Sequence, residues 1–182
     1  MSLSDEINNI TKQLLNGVMQ QLTVTDEDAY VKDDVSKVIR TRVTAELCST
    51  LVKLHNLKIS EHQSMIKKLT KWLLDNQNAD GSWNETHINY NKPSTVFTSI
   101  CALSLLETSE SFPDLNIDEE IFDRAAKFIL KQEIYYGEYK KSELVHADIL
   151  NVDAMAAAFL LKFGSRSSNE SYIQAGKMAV AH

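Results

Sequence analysis

The sequence predicts an all-α chain of αα-hairpin repeats stacked in two layers. Three observations carry that prediction. Met65–Trp83 overlays Ile121–Tyr139 without a gap, an internal repeat at an offset of 56 residues. Amphipathic segments alternate with segments that are apolar or small almost all round. Gly, Pro, Asn and Asp signals fall between them.

In chain order, an N-terminal helix is expected near Ser4–Leu22, followed by an acid-rich connector over Thr23–Ser36, so residues 1–36 are set apart from 37–182. A weaker inner helix is expected near Val43–Leu54. The first clear outer helix places Met65, Ile66, Leu69, Leu73 and Leu74 at helical spacing, with Lys67, Lys68 and Lys71 largely off that stripe. It ends on Gln77 and an Asp80-Gly81 turn before Trp83. Asn91, Lys92, Pro93 and Ser94 precede an inner helix over Val96–Leu106, with Ser94 a plausible N-cap. Phe112-Pro113-Asp114 reads as a loop. Asp118-Glu119-Glu120 opens the next outer helix with the charge its dipole favours. Lys127, Phe128, Ile129 and Leu130 then repeat Lys71, Trp72, Leu73 and Leu74. Gly137 meets Gly81, and Tyr139 meets Trp83, while Gln132 is displaced by one place from Gln77. Gly suits that turn because a helix often ends on a residue with positive φ. A second inner helix is expected over Val152–Phe163, ended by Gly164, and a last outer helix starts near Ser171-Tyr172. The inner segments, rich in Ser, Cys and Ala, read as helices buried on every side. These elements make about three hairpins in a curved array.

At 182 residues with 43% hydrophobic composition, one domain with an adequate core is expected. The net charge of −6 and the lack of a basic block argue against a nucleic-acid partner. No apolar run approaches the ~18 residues of a transmembrane segment. The N-terminal MSLSDEINNITKQ lacks the basic and apolar regions of a signal peptide. Cys48 and Cys101 sit mid-helix among apolar or small residues and read as buried thiols. A cytoplasmic location is the expectation.

The segment KWLLDNQNADGSW (Lys71–Trp83) resembles the QW motif of the superfamily of terpene cyclases and protein-prenyltransferase β-subunits, and NKPSTVFTSICALSLLE resembles the inner helix that follows it. The resemblance covers roughly Val43 to His182, and only its first copy is sharp. It implies an α/α toroid of five to seven hairpins, of which this chain supplies about three. A related pattern occurs in complement and α-macroglobulin thioester domains, but no Gly-Cys-Gly-Glu-Gln segment is present. On physical grounds the motif is structural. Gln77 can donate to the unpaired carbonyls at the end of the outer helix, and Trp83 can cover them.

The resemblance places a cavity at the inner helices and the polar loops Asn84–Ser94 and Glu138–Asn151 that lead into them. The second loop holds Glu143, His146 and Asp148, and Asp153 lies one turn into the helix. A His flanked by carboxylates can act as a general acid or base. The competing reading is that Asp148 or Asn151 caps the helix and His146 lies on the surface. Asp153 is the first choice for a cavity acid; otherwise it complements the helix dipole. The DxDD motif of class II cyclases is missing, the nearest string being Asp26-Glu27-Asp28-Ala29, and the Asp/Cys/His zinc ligands of prenyltransferases are not visible, so no metal site is assigned and the cofactor is unknown. Trp72, Trp83, Phe97, Phe128, Tyr135, Tyr136, Tyr139 and Phe159 could line a cavity, or serve as ordinary core.

Three functional readings follow. The first is a terpene-cyclase-like domain of an enzyme acting on an apolar isoprenoid-type small molecule. The second is a non-catalytic helical-repeat interaction module. The third is a carbohydrate-active toroid lyase or hydrolase using His146, Asp148 and Asp153. An open array exposes apolar ends. A piece of a longer protein that supplies the remainder of the toroid is the preferred expectation, with a homodimer or a short open array as the alternatives.

Overall fold

A computed structural model describes residues 3–59, 61–143 and 149–182. Its helices are α1 (Leu3–Met19), α2 (Thr41–Asn56), α3 (Gln63–Asp75), α4 (Thr95–Ser111), α5 (Glu119–Leu130), α6 (Leu150–Ser167) and α7 (Glu170–Ala181). Helix α2 packs along α4, and α4 along α6, forming an inner layer. Helices α3, α5 and α7 lie outside it, against α2 and α4, against α4 and α6, and against α6. The two-layer hairpin array is therefore present.

The periodic residues explain the layering. Ile66, Leu69 and Leu73 on α3, and Phe122, Ala125, Ala126 and Ile129 on α5, are fully buried. Each large aliphatic side chain in such a stripe contributes about 1.5–3 kcal/mol through burial. Asp118 caps α5, its carboxylate accepting from the Glu120 N–H at 2.9 Å. Cys48 and Cys101 are buried free thiols, and burial pushes both above the ordinary thiol range. No helix of the described residues is long and apolar enough to cross a membrane.

Two joints link successive hairpins. At the first, Gly81 adopts φ +92°, and a Cβ there would lie 2.3 Å from the Arg124 carbonyl oxygen of α5. Gln77 Nε2 donates to the carbonyls of Gly81 (3.0 Å) and Ile121 (2.9 Å), while Arg124 donates to Gln77 Oε1 at 2.5 Å. The outer-helix carbonyl expected for Gln77 is taken instead by Trp83, whose Nε1 donates to the Leu73 oxygen at 2.8 Å. Gln77 has moved on to the next outer helix, because its position after the helix end points it across the turn. At the second joint, Gly137 has φ +81°, and a Cβ would lie 2.4 Å from the Met178 carbonyl oxygen of α7. Both turns therefore rest directly on the backbone of the following outer helix.

Several expectations change. The stretch taken as an acidic connector contains a hairpin, β1 (Leu22–Val24) paired with β2 (Ala29–Val31), whose Ala29 and Val31 are buried. The charges of the hairpin itself lie in its Thr25–Asp28 turn, where the Thr25 hydroxyl donates to Asp28 Oδ1 at 2.6 Å, while Lys32, Asp33 and Asp34 follow β2. Phe112-Pro113-Asp114 enters a 3-10 turn at Pro113–Leu115. Ser94 occupies the N-cap position of α4, but its hydroxyl makes no capping bond. Helix α6 continues through Gly164 to Ser167. Gly164 is instead a notch for α7: a Cβ there would meet Ile173 N at 2.9 Å and Tyr172 Cβ at 3.0 Å. The inner helices are not buried all round either. Phe97, Leu103, Glu107 and Met155 are half-buried, and Ala154 and Ala158 are exposed, because the side away from the outer layer has no facing helix among the described residues.

Candidate functional site

Each inner helix is braced to the loop that leads into it by its fourth residue. Thr44 Oγ1 accepts from the Val31 N–H at 2.9 Å, Thr98 Oγ1 from the Trp83 N–H at 3.0 Å, and Asp153 Oδ1 from the Tyr139 N–H at 2.7 Å. Burying a backbone N–H without a partner costs about 1–3 kcal/mol, so a short acceptor is required there. Asp153 is 2% exposed, and His182 Nδ1 stands 3.5 Å from its second oxygen. It occupies the structural position that threonine fills in the other two hairpins. His146 and Asp148 lie outside the described residues. Glu143 is exposed.

The two helix entrances meet in a polar cluster. Hairpin β3 (Asn84–His87) with β4 (Tyr90–Pro93) carries Glu85 into the interior at 6% exposure. Glu85 Oε1 accepts from Lys141 Nζ at 2.8 Å and lies 3.1 Å from His87 Nε2. Thr95, the first residue of α4, donates through its N–H to the Lys141 carbonyl (2.9 Å) and through its hydroxyl to the Lys140 carbonyl (2.6 Å). The first and second loops are thus tied together. Sequence reasoning missed this cluster, although Glu85 and Lys141 stand at equivalent positions of the 56-residue repeat with opposite charges.

The cluster edges a cavity of about 580 Å³ that also meets Arg42, Val43, Phe97 and Ile149. Arg42 connects it to a groove of about 290 Å³ along the inner helices, bounded by Ile100, Leu103, Glu107 and Met155. The Ser49 hydroxyl donates to Glu107, and Lys53 Nζ stands 3.4 Å from the same carboxylate oxygen. Polar groups of α2 and Glu107 of α4 thus border the groove together with the apolar Ile100, Leu103 and Met155. Of the aromatic residues considered from sequence, Phe97 faces this space. Trp72, Trp83, Phe128, Tyr139 and Phe159 are buried in the core, and Tyr135 and Tyr136 form an exposed edge-to-face pair.

No family profile and no curated protein matches this chain. Solved structures do match. An ent-copalyl diphosphate synthase from Streptomyces platensis aligns with TM-score 0.68 and 22% identity over 92% of this chain and 31% of that one. A reducing-end-xylose releasing exo-oligoxylanase aligns at 0.67 and 15% over 100% and 55%. Rex8A from Paenibacillus barcinonensis, complexed with xylose, aligns at 0.65 and 11% over 96% and 54%. This chain thus spans about half the length of the exo-oligoxylanases and about a third of the synthase. At these identities the likeness concerns the fold, and it is shared by proteins of different substrate class. The chain has the α/α toroid architecture, represented here by three inner and three outer helices among the described residues.

Proposed function

We propose that this chain is part of a toroid enzyme that holds an apolar, isoprenoid-type substrate against the inner helices. The observation supporting this reading is the set Phe97, Leu103 and Met155, half-buried on the side away from the outer layer, with Phe97 lining the entrance cavity and Leu103 and Met155 the groove that shares Arg42 with it. Such a wall gains about 25 cal/mol for each Å² of apolar area it removes from water. Its direct test is titration of the chain with farnesol and geranylgeraniol. Saturable binding is expected, and Phe97→Asp or Leu103→Asp should abolish it. Equal binding by both variants would remove the reading.

Asp153, with His146 and Asp148 from the second entrance loop, supplies the candidate acids of this proposal. Asp153→Asn keeps an acceptor for the Tyr139 N–H and removes the ionisable carboxyl, whereas Asp153→Ala removes both. A role in proton transfer requires both variants to lose turnover. If Asp153→Asn stays active while Asp153→Ala loses stability, the residue is a brace alone.

A further inference from the structure

A second cavity lies on the other side of His87, beside the first joint. It encloses about 440 Å³, within the roughly 300–1,000 Å³ of small-molecule sites. Its chemistry differs from that of the inner groove. Five of its lining side chains are carboxamides. Its one carboxylate among the described residues, Asp75, is tied to Lys71 at 2.7 Å. The rings of His87 and Tyr90 stand 6.5 Å apart at the edge, and Trp72 lines the wall.

Four of the carboxamides, Asn76, Gln77, Asn78 and Asn84, are held by hydrogen bonds. Asp80 Oδ1 accepts from the Ser82 hydroxyl at 2.6 Å. Asn78 Nδ2 donates to Ser82 Oγ and to Asn84 Oδ1, both at 2.8 Å. Asn84 spends its oxygen on this chain, leaving its amide hydrogens for a ligand. Asn76 does the reverse: its Nδ2 donates to the Trp72 carbonyl at 2.8 Å, leaving its oxygen as an acceptor. Uncharged donors and acceptors set side by side match hydroxyl groups, each of which both donates and accepts. Flat ring faces at the edge suit the C–H surface of a sugar ring.

We propose that this cavity binds a small neutral polyol of monosaccharide size, with Asn84 as donor, Asn76 as acceptor and Tyr90 as the stacking face. The site is independent of the isoprenoid reading, since it uses neither Phe97 nor Leu103. The test is NMR titration of the whole chain with D-xylose, D-glucose and myo-inositol. The Trp72 indole and the Asn76 and Asn84 side-chain amides are followed, with backbone dispersion as the check on folding. At least one probe should shift these signals saturably. Asn84→Ala should weaken that binding about fivefold, the size of one neutral hydrogen bond, and Tyr90→Ala should weaken it by a similar factor through loss of the stacking face, while Phe97→Asp leaves it unchanged. The proposal fails if no probe gives saturable shifts, or if both site variants bind like the parent. It also fails if Phe97→Asp abolishes the response, because the sugar would then sit in the inner groove.

Discussion

The two joints share a backbone and differ in their side chains. In both, a glycine with positive φ lets the turn rest on the next outer helix. At the first, Gln77 and Arg124 interlock with α5, and Trp83 satisfies Leu73. At the second, Gln132 Nε2 reaches only its own helix, at the Phe128 carbonyl 3.2 Å away, and the buried Tyr139 hydroxyl has no hydrogen-bond partner among the described residues. Burial pushes that phenol above its ordinary range. The glycine is thus what the geometry demands, and the Gln–Trp pair is an added clamp that a hairpin can lack while keeping its place.

The comparison breaks most readily at the glycines. Gly81→Ala and Gly137→Ala should each cost about 3 kcal/mol or more, since strained φ adds to a clash with backbone that cannot turn aside. Chemical denaturation should give similar losses; a mild effect at either site would mean that its turn can lift off the helix. Next come the aromatic residues. Trp83→Phe should cost about 2–4 kcal/mol through the cavity it leaves and the orphaned Leu73 carbonyl. Tyr139→Phe, removing an unpartnered hydroxyl, should lie within about 0.5 kcal/mol of the parent or stabilise it. Melting the two variants side by side checks the asymmetry, and equal losses would refute it. The glutamines follow: about 2 kcal/mol for Gln77→Ala and under about 1 kcal/mol for Gln132→Ala, reflecting the bonds each makes.

The smallest effect is a pH dependence. Asp123 accepts from the Tyr172 hydroxyl at 2.5 Å and pairs with Lys127 at 2.6 Å, linking α5 to α7. The Lys127 ammonium, then the Tyr172 hydroxyl, hold its carboxyl below the usual carboxylate range. Its folded pKa is depressed, so its contribution is present above the unfolded value of 3.8 and is lost as pH falls through the folded value. Because the pair is partly exposed, under about 1 kcal/mol is involved. Asp123→Asn should flatten the acid limb of the stability curve by that amount, and an unchanged limb would assign the acid sensitivity to other groups.

The helices and both joints were legible because their causes are local: the stripe on α3, the glycine after it, and the Asp118 cap. Hairpin β1–β2 was hidden because its three-residue strands flank a charged turn, which composition alone reads as a connector. The brace role of Asp153 was illegible because it depends on a backbone N–H fourteen residues away. Glu85 and Lys141 were legible in principle. Carrying the repeat through the loops sets opposite charges at matching positions, and only the fold shows that those positions touch.

The grip of each turn on the following outer helix also imposes a timetable during synthesis. Gln77 cannot complete its bond until Ile121, 44 residues later, has left the ribosome. At about 5–20 residues per second, that is a wait of roughly 2–9 s. For that interval the first joint is half-made and its apolar surface is open to chaperones, so slowed translation between Asn84 and Ile121 would be felt in yield before it was felt in the finished protein.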